Sequence, residues 1–208
     1  MAKQIEGVYE RLIACAKDEF LEKGYNDASL RTIAAKAKTS TNSIYVRFGD
    51  KAGLFEAIVQ PVVDGVIALF CGIQEEFHGF DPETQREQVN DYSFSGMARI
   101  LDYMYDHFDA FRLLLDASYG TRFQNFVDEL TRIEVEYTYK YMEAVGCPGV
   151  ENGELTEEFL HIVTTAYFEG IFEVIRHQMD RETAGKYVLM LERYHAAGFD
   201  TFFYPEQK

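Results

Sequence analysis

The chain has 208 residues, 47% apolar and 26% charged, enough apolar material for one large domain or two small ones with cores of their own. No uninterrupted apolar run is longer than about six residues, Val66–Cys71 being typical, which argues against a bilayer-spanning helix of about 20. Four prolines and no run of short β-branched segments argue against an all-β sandwich, and a net charge of −15 argues against a polyanionic partner for the chain as a whole.

Ile5, Val8, Tyr9, Leu12, Ile13, Ala16, Phe20 and Leu21 recur at three- and four-residue spacing, the stripe of an amphipathic first helix that stops at Gly24. Ser29 is placed to cap a short second helix carrying Leu30, Ile33, Ala34 and Ala37. After a tight break at Lys38-Thr39, Ser40 is placed to cap a third short helix with Ile44, Tyr45 and Phe48, ended by Gly49, and Asp50 to cap a fourth. The fourth carries Leu54, Phe55, Ile58, Val59, Val62, Val66, Phe70 and Ile73, and Pro61 inside it is expected to kink it. The polar stretch His78–Asn90, with Gly79 and Pro82, reads as a loop or a weak helix start. Helical patterns follow at about 94–106, 108–118, 122–145, 155–179 and 183–203. The expected fold class is all-α with about nine helices, the first three forming a separate N-terminal unit. Met1–Glu6 lacks a cationic and apolar leader, and three widely spaced cysteines suit reduced thiols, so a cytoplasmic protein is expected.

The charge is unevenly distributed. Residues 1–58 hold nine Lys+Arg against eight Asp+Glu, a net of +1, while residues 59–208 hold 11 against 27, a net of −16. Within 28–51 five basic residues, Arg31, Lys36, Lys38, Arg47 and Lys51, face one acidic residue, Asp50. Two short helices joined by a tight turn within this cationic segment describe a helix-turn-helix, whose second helix enters the DNA major groove.

Ser29-Leu30-Arg31-Thr32-Ile33-Ala34-Ala35-Lys36-Ala37, Ser40, Ile44-Tyr45, Phe48, Asp50-Lys51 and Leu54-Phe55 together resemble the DNA-binding domain of TetR-family transcriptional regulators, over about residues 8–58. The resemblance implies domains at 1–50, for DNA, and 51–208, for effector binding and dimerisation. It also implies backbone contacts from Ser29 and Thr32, a recognition helix with Ser40 at its start and Thr41, Asn42, Ser43, Tyr45, Val46 and Arg47 along it, and a phosphate contact from Lys51. Ile44 and Phe48 are expected to face inward. The chain departs from the family at Lys38, where Gly is common, and at Thr41-Asn42, where Lys-Gly is common. By chemistry alone, Asn42 suits adenine and Arg47 guanine.

The second half is aromatic. Phe70, Tyr103, Phe111, Leu115, Tyr119, Phe126, Tyr137 and Phe168 are the expected lining of a pocket for a small, largely apolar effector. On helix 155–179 the apolar residues spread over about two thirds of the circumference, suggesting burial on two sides and a homodimer through the last two helices. The expected function is a cytoplasmic repressor that releases double-stranded operator DNA when the effector binds, with no cofactor, metal, catalytic residue or membrane. Two alternatives compete. One is a helical di-metal carboxylate enzyme, suggested by the Glu-x-x-His pairs Glu75/His78, Glu158/His161 and Glu192/His195. The other is a binding module of the same fold without DNA binding.

Overall fold

The computed structural model describes residues 7–203, so Ile5 of the first predicted stripe lies outside the described residues. Among these the secondary structure is ten α-helices and no strand: α1 (Val8–Asp27), α2 (Leu30–Lys36), α3 (Thr41–Phe48), α4 (Lys51–His78), α5 (Pro82–Asp106), α6 (Phe108–Asp116), α7 (Phe126–Ala144), α8 (Pro148–Glu151), α9 (Glu157–Arg176) and α10 (Arg181–Phe203). They form two compact units. One contains the described residues through Gly65 together with His107–Asn125, and the other contains Val66–Asp106 and the described residues from Phe126 onward.

In the first unit α1 buries Leu12, Ala16 and Phe20 completely. Regular helix breaks at Gly24, whose φ of 72° is the left-handed conformation glycine adopts at least cost, and Ala28 N–H closes the break on the Gly24 carbonyl at 3.2 Å. Ser29 caps α2 as expected, its Oγ accepting from Thr32 N–H at 3.3 Å, and Asp50 caps α4 by accepting from Gly53 N–H at 2.8 Å. Ser40 holds the extended N-cap conformation, but its side chain makes no capping bond; the Thr39 hydroxyl donates instead to Ser43 Oγ at 2.8 Å. Phe20, Tyr25, Phe55 and Phe123 meet in an aromatic cluster, with ring centroids 5.1 Å apart for Phe20–Phe55 and 6.1 Å for Phe55–Phe123. The segment around α6 is stitched to the end of α1 by Tyr25 N–H to the Ala117 carbonyl at 3.1 Å and Asn26 Nδ2 to the Tyr119 carbonyl at 3.2 Å.

In the second unit α7 packs along α9, and α9 along α10. Phe70, Phe168, Phe172 and Phe126 form one aromatic run, each successive pair within 5.9–6.1 Å. A neighbouring cluster contains Phe77, Tyr141, Met142, Val145, Cys147, Leu155 and Leu160. Thr156 caps α9 and Asp180 caps α10 through their side-chain oxygens.

Three expectations are corrected. The stretch 78–90 is mostly helix: Asp81 accepts from Glu83 and Thr84 N–H, both at 3.1 Å, and Pro82 supplies the first-turn geometry, so α5 begins about twelve residues ahead of its apolar pattern. The break at Gly146–Gly149 holds the one-turn helix α8, which brings the count to ten. The fourth helix runs through Pro61 for 28 residues and is long and apolar enough by length and composition to cross a membrane, although its apolar residues form no long uninterrupted run. Its apolar residues, among them Leu54, Phe55, Val59, Val66 and Ile73, are buried in the two cores.

Candidate nucleic-acid interface and interior cavity

The geometry of α3 follows from which of its residues are apolar. Ile44 is fully buried and Phe48 lies half-buried against Tyr9, ring centroids 5.4 Å apart, so the helix is pinned through this face. Asn42, Tyr45 and Val46, at the spacing that shares one side of a helix, are exposed; Tyr45 is 54% and Val46 74% accessible, which excludes a core-capping role for the tyrosine. Thr41, Ser43 and Arg47 are half-buried, and Arg47 donates through Nη1 to the Ser43 carbonyl at 3.3 Å. Ser40 is exposed at the start of the helix, while Ser29 and Thr32 sit half-buried at the start of α2. The turn between α2 and α3 puts Lys38 at a φ of 54°, so a lysine occupies a left-handed position at a cost of about 1–2 kcal/mol.

A residue that sequence reasoning passed over organises this arrangement. Glu19 of α1 is buried; its carboxylate accepts from Ser29 N–H at 3.3 Å and from Lys36 Nζ at 3.0 Å. That bond holds the Lys36 ammonium above its ordinary pKa. Arg11 Nε reaches the Ala37 carbonyl at 3.3 Å from the same helix. The signal was available: Glu19 falls on the stripe of Leu12, Ala16 and Phe20, where an acid needs a partner. Lys51 is also occupied, donating to the carbonyls of Asn26 at 2.9 Å and Ala28 at 3.2 Å with its ammonium 4.9 Å from the Tyr25 ring centre. Two of the five cations of 28–51 therefore hold the fold, while Arg31 and Lys38 are exposed.

The second unit contains a cavity of about 240 Å³ lined by residues of α4, α5, α7, α9 and α10. Of the eight expected lining residues it includes Tyr137. Phe70 and Phe168 pack on each other and Phe126 on Phe172, as core; Tyr103 is half-buried on α5. Phe111 (buried), Leu115 (half-buried) and Tyr119 (79% accessible) belong to the first unit. The aromatic spacing marked packing and missed the polar part of the wall, which includes Gln74, Ser93, Glu134, Glu192 and His195. Glu134 accepts from Gln74 Nε2 at 2.6 Å and Thr138 Oγ1 at 3.1 Å, and Glu192 accepts from Ser93 Oγ at 3.2 Å. Burial pushes both carboxyls up to about 7 and pushes His195, stacked on Tyr167 at 4.3 Å, down to about 4. The Glu-x-x-His pairs do not converge: Glu75, Glu158 and His161 are exposed, and no group of three metal-ligating side chains occurs among the described residues.

Residues 12–58 match the family described as bacterial regulatory proteins, tetR family. An uncharacterised HTH-type transcriptional regulator of Bacillus subtilis, YvdT, is 37% identical over 60 residues, which are 29% of this chain and 31% of that protein. The chain thus spans under a third of the curated relative it matches. Among solved structures, a TetR-like transcriptional regulator from Rhodococcus sp. RHA1 superposes with a TM-score of 0.61 at 20% identity, over 95% of this chain and 99% of that one. NalD of Pseudomonas aeruginosa, the secondary repressor of a multidrug efflux pump, gives 0.60 at 18% identity, over 91% and 95%. PfmR of Thermus thermophilus, a TetR-family regulator, gives 0.57 at 19%, over 95% and 100%. Residues 12–58 are thus similar to the DNA-binding segment of the TetR family, and the all-helical fold that carries them is the fold of solved TetR-family regulators.

Proposed function

We propose that the protein is a homodimeric, cytoplasmic repressor that binds operator DNA through α3 and releases it when a small effector enters the second unit. The observation that carries the DNA reading is the two-sided α3: Ile44 anchors it inward while Asn42, Tyr45 and Val46 stand exposed on one face. In this reading Ser29, Thr32, Ser40, Thr41 and Ser43 position the protein on phosphates, while Asn42 and Arg47 read bases. Lys51 has one ammonium hydrogen beyond its two internal bonds for a phosphate. In this reading the functional division falls at residue 50, with residues 51–208, Lys51 apart, serving the effector and the dimer. Dimerisation through α9 and α10 is supported by Ile162, Tyr187, Met190 and Tyr194, large side chains exposed on those two helices.

The test is a fluorescence-anisotropy titration against DNA from upstream of the gene. Specific binding is expected, and Asn42→Ala or Arg47→Ala should weaken it by about 1–3 kcal/mol on the preferred duplex and far less on random DNA. Equal losses on both duplexes would reduce these residues to positioning contacts, and no specific duplex at all would overturn the regulator reading.

A further inference from the structure

The two acids in the cavity of the second unit have no cationic partner among the described residues. Glu192 is 4% exposed, and its Oε1 has no hydrogen-bond partner among the described residues, Oε2 being met by the neutral hydroxyl of Ser93. Glu134, across the cavity wall on α7, is met by an amide and a hydroxyl, both neutral donors. A buried acceptor without a partner costs about 1–3 kcal/mol, more when charged, so the Glu192 oxygen is a site whose complement is absent among the described residues.

The other titratable groups facing the cavity do not supply that complement. Arg86 keeps its charge but directs its guanidinium to the Val145 carbonyl, while the bonds to Glu134 and Glu192 come from Gln74, Thr138 and Ser93. Burial lowers the pKa of both His78 and His195, so both rings are neutral near pH 7, and the buried Nε2 of His78 is itself unpartnered. Asp200 adds a further acid at the rim, and burial holds the phenols of Tyr92 and Tyr137 above their ordinary pKa, so both are neutral. Phe77 packs against Tyr92 at 5.4 Å and Tyr141 at 5.5 Å, so part of the remaining wall is aromatic, a surface that attracts cations.

We propose that this cavity binds an organic cation, an amine or quaternary ammonium on an apolar body, with Glu192 and Glu134 as its counter-charges. This narrows the effector reading above and depends on it only for the consequence at DNA. A neutral apolar effector would leave the Glu192 oxygen unmet, and an anion would be placed against two carboxyls. Because a cation stabilises the ionised carboxylates, its binding releases protons, and affinity rises from about pH 6 to about pH 8.

The test is calorimetry of the full chain, without DNA, with three probes sharing one aromatic body: (1-naphthylmethyl)trimethylammonium, 1-naphthylmethanol and 1-naphthylacetate. The cation should bind about tenfold or more tighter than the alcohol and the acetate most weakly, with a heat that varies with buffer ionisation. Glu192→Gln should weaken the cation by about tenfold while leaving the alcohol within about twofold; Glu134→Gln serves as a second variant, each checked by thermal melting. Equal binding of all three probes, unchanged cation affinity in both folded variants, or no cation binding up to about 1 mM would overturn the assignment. Cation binding that leaves an operator complex intact supports the site and defeats the effector reading. An operator released by anionic or neutral compounds, with no cation bound, does the reverse.

Discussion

Removing the Glu19 carboxylate should loosen the helix-turn-helix from within. In Glu19→Ala, Ser29 N–H loses a charged acceptor at 3.3 Å, a bond type whose loss costs about 1.5–3 kcal/mol, and one buried methylene adds about 0.8 kcal/mol. Lys36 is half-exposed and returns to water, so its share of the pair is left out. The expected destabilisation of α2 is about 2–4 kcal/mol, which native-state amide hydrogen exchange reads as a rise of roughly 30- to 1,000-fold in the exchange rates of Ile33 through Ala37. Exchange reports the first unit directly, where a global melt of a two-unit chain would not. Glu19→Gln keeps the volume and one acceptor and should fall between the two. Exchange rates in Glu19→Ala within about threefold of the parent would show that Glu19 is merely accommodated and that the orientation of α2 has another origin.

Lys51→Ala removes the tie between the carbonyls of Asn26 and Ala28 and should cost about 1–2 kcal/mol of stability; a salt slope of DNA binding lowered by about one would add a phosphate contact, an unchanged slope would leave Lys51 internal. Tyr194→Glu, at a position 79% accessible in the monomer, should leave folding intact yet give a monomer in sedimentation, and a dimer at micromolar concentration would move the interface elsewhere. Gly170→Glu is a poorer probe, since a Cβ there would meet Leu191 Cδ2 at 3.0 Å within the same chain. Stability should also depend on pH through the cavity. The neutral carboxyls of Glu134 and Glu192, pushed up to about 7, contribute stability that is full below the unfolded pKa of about 4.3 and is lost as pH rises through about 7. His195 works in the opposite direction only below about pH 6.5, so from about pH 6.5 to about pH 8 Tm should fall, and fall less in Glu192→Gln; parallel curves would refute this.

The helix-turn-helix was legible because its determinants are local. Ser29 and Asp50 each bond an N–H three residues ahead, so position in sequence was enough to assign them. Ser40 offered the same pattern and failed, because the neighbouring Thr39 and Ser43 hydroxyls bond each other. The start of α5 was missed where periodicity was asked of a solvent-facing segment. Glu83, Arg86, Glu87 and Gln88 are all exposed, and only the Asp81-Pro82 pair marks the boundary. The cavity was hardest to read. An aromatic side chain gives the same spacing whether it fills a core or walls a hollow, so Phe168 and Tyr137 looked alike. The acids were more informative: Glu192 lies one turn from both Val188 and His195 on the inner side of α10, where an ionisable group needs a reason.

The stitching of α6 to α1 limits how this protein can be cut. A fragment ended at residue 58 would keep the turn, α3 and Glu19, yet would lose Ala117, Tyr119 and Phe123, the partners of Tyr25, Asn26 and Phe55. The helix-turn-helix head is in this sense not a detachable bead at the front of the chain. Its packing is completed by a segment whose own neighbours in sequence, on both sides, belong to the other unit. A graft of the head onto a foreign sensor would have to transplant residues 107–125 along with it, or replace the apolar cover they provide.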